Sequence, residues 1–551
     1  MLQVTQISKT YGLDPILQDI NFTLNPGDRF GLVGINGTGK STLLRIIVGE
    51  ESADKGTVNF FPQTLRIGYL PQGMSVEDNS SISFFLSGEL GELSGLEEEL
   101  NRLATYLVDH SDDHEVQSKF DQILNRINLN HEVQHQAPVI LNSLGLGGYD
   151  LSTPVAHLSG GQKTRLLLSK VLMLKPQLLI LDEPTNHLDI GMLEWLENWI
   201  NQFQGAVLLV SHDRTFLDHT VNGILELDEH SHKISFTSGN YSEYLDLKIA
   251  RQDKQLHAYQ DQLEEIDRLR KAASEMRSKA KYHKGGKTDP SKTDGFSIGF
   301  FANRTKETIQ KAKNIEKRVV KLLNDGIEKP ARTWQMRVDF QETQNSGRDV
   351  LILDDLSIGY GDLDLVNQID LILRYGERVA LIGDNGSGKT TLIKTILAEI
   401  PALSGNFRLG SQVQTGYMSQ EQSKLAPESS VLESISKILS QNETENRSFL
   451  SKYLFKGDDV FKQVNKLSYG ERARLSLACL VAQGSNFLIL DEPINHLDIP
   501  SRIQFEKALS EFEGTVLAVV HDRYFIEGFA TQIWVIRNKN LYQRKAIKFK
   551  V

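Results

Sequence analysis

Gly34-Ile35-Asn36-Gly37-Thr38-Gly39-Lys40-Ser41-Thr42 is the stretch on which the reading of this 551-residue chain turns. It has the spacing G-x-x-x-x-G-K-[ST]. In that pattern the glycines let backbone N–H groups curl around phosphates, and the helix that follows aims its positive end at them. The apolar segment Arg29 to Val33 leads into it, as a strand entering such a loop must. The pattern then recurs as Gly383-Asp384-Asn385-Gly386-Ser387-Gly388-Lys389-Thr390-Thr391, so the chain is an internal duplication.

Working outward from the two loops sets the register. Tyr11 and Tyr360, like Lys40 and Lys389, stand 349 positions apart, and Gln72 and Gln420 stand 348 apart. Ser159 and Ser468, Asp182 and Asp491, Asp189 and Asp498, and His212 and His521 are all 309 apart. About 40 extra residues therefore lie in the first half between Gln72 and Ser159. Glu- and Leu-rich stretches such as Leu96 to Leu107 predict a helical arm there, within about residues 85–135. Strand-like and helix-like pieces alternate in each half, which predicts an α/β fold with a mainly parallel sheet flanked by helices.

Between the halves, Leu256, Tyr259, Leu263 and Ile266 are spaced 3, 4, 3, and so are Ala312, Ile315, Val319 and Leu322. Two such helices around the Gly/Pro/Lys-containing stretch Gly285 to Gly299 predict an antiparallel hairpin with heptad-type packing. An arm of about 40 residues would reach on the order of 60 Å at about 1.5 Å per residue. The expected division is residues 1–245, a linker over 246–345, and 346–551.

Composition narrows the class. The chain is 40% hydrophobic and 24% charged, ordinary values for globular cores. No apolar run approaches the roughly 18–20 residues that span a bilayer. Met1 to Lys9 has neither a basic start nor an apolar stretch, and Cys479 is the single cysteine. A secreted disulfide scaffold and a multi-cysteine metal site are excluded, and a reducing cytoplasm is the expected setting. The net charge of −10 hides an asymmetry: residues 248–340 hold 22 Lys+Arg against 13 Asp+Glu, while the remainder holds 39 against 58. A basic segment thus sits between two acidic bodies.

The candidate chemistry is that of a nucleoside triphosphate. Lys40 and Lys389 would reach the β- and γ-phosphates, and Ser41 and Thr390 would coordinate Mg²⁺. The apolar runs Leu178 to Leu181 and Phe487 to Leu490 end in Asp182-Glu183 and Asp491-Glu492. In each pair the aspartate suits the Mg²⁺ shell, and the glutamate suits positioning or deprotonating the attacking water. His212 and His521 are placed to sense the γ-phosphate. Gln72 and Gln420 are read as touching the metal or the water, against the alternative of surface glutamines. Tyr11 and Tyr360 offer an aromatic face to adenine, against the alternative of core packing.

These residues resemble a known family. Leu158-Ser159-Gly160-Gly161-Gln162 is similar to the signature of ATP-binding-cassette (ABC) ATPases, and Leu467-Ser468-Tyr469-Gly470-Glu471 is a variant of it. The runs Asp182-Glu-Pro-Thr-Asn-His-Leu-Asp189 and Asp491-Glu-Pro-Ile-Asn-His-Leu-Asp498, with Ser211-His-Asp-Arg214 and His521-Asp-Arg523, resemble the ABC-F subfamily. The resemblance covers nearly the whole chain. It implies two cassettes, each a mixed, mainly parallel sheet with a helical subdomain, which close head to tail around two ATP molecules within one monomer. Site one would join Lys40, Ser41, Gln72, Asp182, Glu183 and His212 to Ser468 and Gly470. Site two would join Lys389, Thr390, Gln420, Asp491, Glu492 and His521 to Ser159 and Gly161.

The second half departs from the family pattern at Tyr469, Glu471, Ile494 and Val520. These departures spare the carboxylates and predict unequal turnover at the two sites. The resemblance also implies action on the ribosome near the tRNA exit site, on the large subunit, with the hairpin approaching P-site tRNA. Members of this kind serve either as antibiotic-resistance ribosomal protection proteins or as translation factors. Lys279, Lys281, Lys284, Lys287 and Lys292 are the candidate RNA contacts, alongside Arg270, Lys271 and Arg277, with a solvated helical face as the plain alternative. The lack of a long extension after Lys545 argues against members with a DNA-binding tail. Two other function classes are the alternatives: an ATP-dependent factor acting on branched DNA with the same ATP clamp, and the ATPase subunit of a drug exporter, which is disfavoured because a charged hairpin fuses both cassettes and the first-half insertion shows no membrane-facing apolar surface.

Overall fold

The computed structural model describes residues 1–72, 80–87, 93–110, 113–158, 160–186, 188–284, 295–324, 347–361, 363–419, 425–453, 455, 457–495 and 497–545. The chain forms two compact units: Met1–Tyr241 together with Gln335–Val551, and Ser242–Trp334.

In the first unit each cassette is built on a six-stranded sheet. In the first half the order is Ile67–Leu70, Leu178–Asp182, Ala206–Val210, Arg29–Val33, Gly223–Leu227, Ile234–Ser238. All neighbours are parallel except the last pair. The strands Leu178–Asp182 and Ala206–Val210 are buried along their whole length, which is why they read as unbroken apolar runs rather than alternating ones. The second half repeats this with Thr415–Met418, Phe487–Asp491, Thr515–Val519, Arg378–Gly383, Gln532–Arg537 and Asn540–Lys545. A three-stranded antiparallel sheet accompanies each: Asp14–Leu24, Leu2–Tyr11 and Lys55–Phe60 in the first half, and Leu363–Arg374, Asp349–Tyr360 and Ser404–Leu409 in the second.

This strand order decides where the site falls. Chain order is broken where Arg29–Val33 slots in beside Ala206–Val210, with Leu178–Asp182 next along. Ligands of open α/β sheets bind beyond the carboxyl ends of strands at such breaks. The loop from Gly34 to Gly39 and the pair Asp182-Glu183 leave those ends together, though about 150 residues separate them in sequence.

The first-half insertion is helical. Leu93–Asp109 and His114–Ser143 pack through Leu96, Ile123 and Ile127, with Leu100 and Leu103 against them. The second of these helices runs past the expected end near residue 135.

The second unit contains most of the helix Tyr241–Lys284 and all of Gly295–Asn324. The later helix starts inside the stretch expected to be loop. The two run in opposite directions: Gln262 donates to the Leu322 carbonyl at 2.6 Å, Arg318 pairs with Glu265 and Arg277 with Glu316, both at 2.8 Å. Ala312 and Val319 are buried, with Ile315 and Leu322 partly so, as their spacing requires. On the partner helix one correction is needed. Leu256 and Leu263 are exposed, and the seam runs through Tyr259, Gln262, Ile266, Leu269, Ala273 and Met276. Gln262 fills a seam position because its amide finds a carbonyl partner, so a polar residue displaces the leucine beside it. Of the candidate RNA contacts, Lys287 and Lys292 lie outside the described residues, as do the side chains of Lys279, Lys281 and Lys284.

Candidate functional site

The first loop folds into a phosphate cradle for a steric reason. Gly39 takes φ 99°, and a Cβ there would come within 2.4 Å of Ile16. Gly39 precedes the helix Lys40–Val48 without a side-chain cap, and Gly388 at φ 103° does the same for Lys389–Ile396. Each helix therefore presents uncapped N–H groups, the arrangement that receives an anion. Lys40 Nζ donates to the carbonyls of Gly34 and Ile35 at 2.7 and 3.0 Å, and Lys389 Nζ donates to Gly383 and Asp384 at the same distances. Burial lowers both lysine pKa values. Glu183, Asp498 and Asp182 oppose this at Lys40; Glu492, Asp189, Asp384 and Asp491 oppose it at Lys389.

A cavity of about 920 Å³ opens over the first loop. Its lining includes Tyr11, Asn36, Gly37, Gly39, Lys40, Ser41, Thr42, Gln72, Asp182, Glu183, Asn186 and His212, and also Ser468 from the other cassette. Tyr11 is half exposed at the rim, its hydroxyl bonded to Glu51 at 2.5 Å, and Tyr360 is similarly exposed. Core packing is thus ruled out for both tyrosines. Gln72 is exposed and lines the same cavity. Ser159 and Gln420 lie outside the described residues.

The carboxylates stand where the sheet delivers them. Asp182 is buried, and burial raises its pKa while a hydrogen bond from Ser41 lowers it; Asp491 has the same arrangement with Thr390. Asp182 Oδ1 has no hydrogen-bond partner among the described residues. A buried carboxylate oxygen left unpaired beside a hydroxyl fits a hard oxygen-seeking cation. Among the described residues no three His, Cys, Asp or Glu cluster into a metal site, so such an ion would draw other ligands from phosphate and water.

Glu183 and Glu492 follow their strands at φ 54° and 51°, left-handed values that cost a non-glycine residue about 1 kcal/mol or more. Each is held there by its own N–H, which donates to Val210 or Val519 on the adjacent strand at 2.9 and 3.0 Å. The side chains are turned out of the sheet as a result. His212 Nε2 lies 3.3 Å from Glu183 Oε1 and 3.0 Å from Asn36 Oδ1, while His521 Nε2 lies 3.7 Å from Glu492 Oε1. Burial pushes both glutamates up to about 7. At Glu183, Arg502 is the largest opposing charge; at Glu492, Asp491 adds to the rise and Lys389 opposes it.

Contacts between the cassettes are reciprocal, and most were not legible in the motifs. Asp498 Oδ2 accepts the Asn36 N–H at 3.2 Å, and Asp189 Oδ2 accepts the Asn385 N–H at 3.3 Å. The other carboxylate oxygen of each aspartate caps the helix that follows it. Arg214 reaches Glu506 at 3.4 Å, and Arg523 pairs with Glu197. These residues obey the 309 offset, 197 with 506 and 214 with 523, so the repeat carried the signal once it was applied to charges rather than motifs.

Three second-half departures acquire physical reasons. Thr185 Oγ1 and Ser211 Oγ share a hydrogen bond at 3.1 Å, and their counterparts are Ile494 and Val520, both buried. One polar pair has been exchanged whole for an apolar pair, which strands no buried hydroxyl. Glu471 forms a capping box with Ser468, accepting its N–H at 2.8 Å while Ser468 Oγ accepts from Glu471 N at 3.2 Å. The side chain of Tyr469 lies outside the described residues. A double-mutant cycle tests the swap. Ser211→Val alone should destabilise the chain by about 1–2 kcal/mol, and adding Thr185→Ile should recover part of that loss in thermal melting, the remainder being the Ser211 Oγ acceptor lost to the Asp213 N–H at 3.0 Å. Two independent, additive losses would refute the pairing.

Comparison with known proteins agrees with this geometry. The family model described as ABC transporter matches residues 17–186 and 366–495. YdiF of Bacillus subtilis (strain 168) is 38% identical over 547 residues, covering 98% of this chain and 80% of its own. ABC transporter F family member 2 of Arabidopsis thaliana is 32% identical, covering 98% and 77%. The archaeal ribosome recycling factor aABCE1, solved with the ribosomal stalk protein aP1, superposes with a TM-score of 0.59 at 18% identity over 98% of this chain and 89% of that one, a likeness of fold. With two phosphate loops, two Asp-Glu pairs and reciprocal contacts between halves, the chain belongs to the ABC transporter-like ATPases, as a tandem-cassette member of the ABC-F type.

Proposed function

We propose that this ATPase converts binding and hydrolysis of two ATP molecules into closing and opening of its cassettes, and that the motion acts on the ribosome. The observation that carries the reading is the reciprocal docking of Asp498 on the first phosphate loop and Asp189 on the second. A ligand that fills both loops would bridge the two halves, and loss of its γ-phosphate would release them. Site one would comprise Lys40, Ser41, Gln72, Asp182, Glu183 and His212 with Ser468 and Gly470. Site two would comprise Lys389, Thr390, Gln420, Asp491, Glu492 and His521 with Ser159 and Gly161. Tyr11 and Tyr360 would receive the adenines. Ser41 with Asp182, and Thr390 with Asp491, would hold Mg²⁺, which when bound neutralises phosphate charge. Glu183 and Glu492 would orient the attacking water and take its proton, while His212 and His521 face the γ-phosphate.

The basic segment over residues 248–340 favours an RNA-rich target, with the hairpin directed at P-site tRNA beside the exit site. One structural neighbour is a model of ribosome-bound archaeal Pelota and ABCE1, which places the same fold, in that protein, on a ribosome. Co-sedimentation tests the reading. The chain should pellet with ribosomes in ATP, and less so as salt rises, because phosphate contacts release counterions. Retention on branched DNA with no ribosome binding would overturn it. Growth of a drug-sensitive host expressing the chain on lincosamides, pleuromutilins, macrolides and phenicols would separate ribosomal protection from a translation-factor role.

A further inference from the structure

The pseudo-two-fold relation between the cassettes fails at one buried charge. Arg502 is 5% exposed; the residue 309 positions earlier is Leu193, also buried. Arg502 Nη1 pairs with Asp522 Oδ2 at 2.8 Å, and its Nε donates to the Leu497 carbonyl at 3.0 Å. Leu497 immediately precedes Asp498, whose Oδ2 accepts the Asn36 N–H of the opposite phosphate loop. Asp522 in turn caps the helix Arg523–Phe529, next to His521. One guanidinium therefore ties the turn carrying Asp498 to the corner that carries His521. The first half builds the same turn around Asp189 with a leucine, which has no donor to offer.

We propose that Arg502 is a positioning residue for the first ATP site: it braces the Leu497–Asp498 turn so that the Asp498 carboxylate stays seated on the Asn36 amide when the cassettes meet. The second site, whose Asp189 turn lacks this brace, depends less on it. The inequality of the two sites then resides in a buried cation of the second cassette as well as in the signature substitutions. This assignment rests on the two composite ATP sites proposed above.

Steady-state hydrolysis of Mg·ATP by the intact chain tests it through KM and kcat. Arg502→Leu installs the residue that the first half already tolerates. It should raise KM by about tenfold; because Glu183 also loses its largest opposing charge, kcat is read on the alkaline plateau, where it should change less than about threefold. Arg502→Lys keeps a cation for Asp522 but loses the fork that also reaches Leu497, and should fall between. Combining Arg502→Leu with Asp498→Asn should add nothing to Asp498→Asn alone, whereas combining it with Asp189→Asn should multiply the two effects. An unchanged KM, or multiplication with Asp498→Asn as well, would overturn the assignment. Should Arg502→Leu fail to fold, the same two cycles with Arg502→Lys decide the matter. A wild-type chain that hydrolyses no Mg·ATP would instead sink the two-site reading itself.

Discussion

Replacing Glu183 and Glu492 together with glutamine is expected to slow ATP hydrolysis by roughly 10²- to 10⁴-fold, the range over which a positioned general base contributes. Glutamine keeps the shape but cannot take a proton from water. The doubly substituted chain should therefore bind ATP, close and stay closed, retaining nucleotide through gel filtration and remaining on ribosomes. A rate within about fivefold of wild type would remove both residues from the chemistry. The two single substitutions should leave different residual rates, because Glu492 Oε2 accepts from Asn495 at 2.5 Å while Glu183 is fully buried and faces Arg502. Equal residual rates would contradict that asymmetry. The pH profile follows from the same environment. Burial pushes both carboxyls up to about 7, so the proton-accepting form is lost as pH falls through that value. The wild-type rate at pH 6 should be roughly a tenth of its alkaline plateau.

Arg523→Ala should weaken closure more than Arg214→Ala. Glu197 is buried, and among the described residues its carboxylate without Arg523 keeps only His219, 3.0 Å away. Leaving a largely buried charge without its main partner costs about 3 kcal/mol, a factor of about 100 in the closing equilibrium. Glu506, the partner of Arg214, is more exposed, and burial already pushes its carboxyl up to about 7. It can take a proton when Arg214 is removed, so that loss should be nearer about 1 kcal/mol. The ATP concentration that half-closes each variant, followed by small-angle scattering, measures the difference. Equal shifts would show that the two reciprocal pairs bear equal load.

How much was legible without the fold depended on whether the chemistry is local. The phosphate loops, the Asp-Glu pairs and the helical arm were readable because each function is carried by a run of consecutive residues whose backbone conformation is dictated by glycine spacing, apolar runs or helical periodicity. The seam of the helix Tyr241–Lys284 was misplaced by one position. Periodicity ranks residues by hydrophobicity, and it could not know that Gln262 would find the Leu322 carbonyl.

The duplication, the order of its parts and the identity of the groups that meet phosphate follow from the order of amino acids alone, since these are properties of short segments and their repetition. Which residues meet across the two halves does not. Asp189 on Asn385, Asp498 on Asn36 and Arg523 on Glu197 join positions between about 200 and 460 residues apart. The replacement of Thr185 and Ser211 by Ile494 and Val520 became one event rather than two departures only when the strands set the pair side by side. Contacts of that kind arise from sheet order and from how two folded surfaces meet, and no window of neighbouring residues contains them.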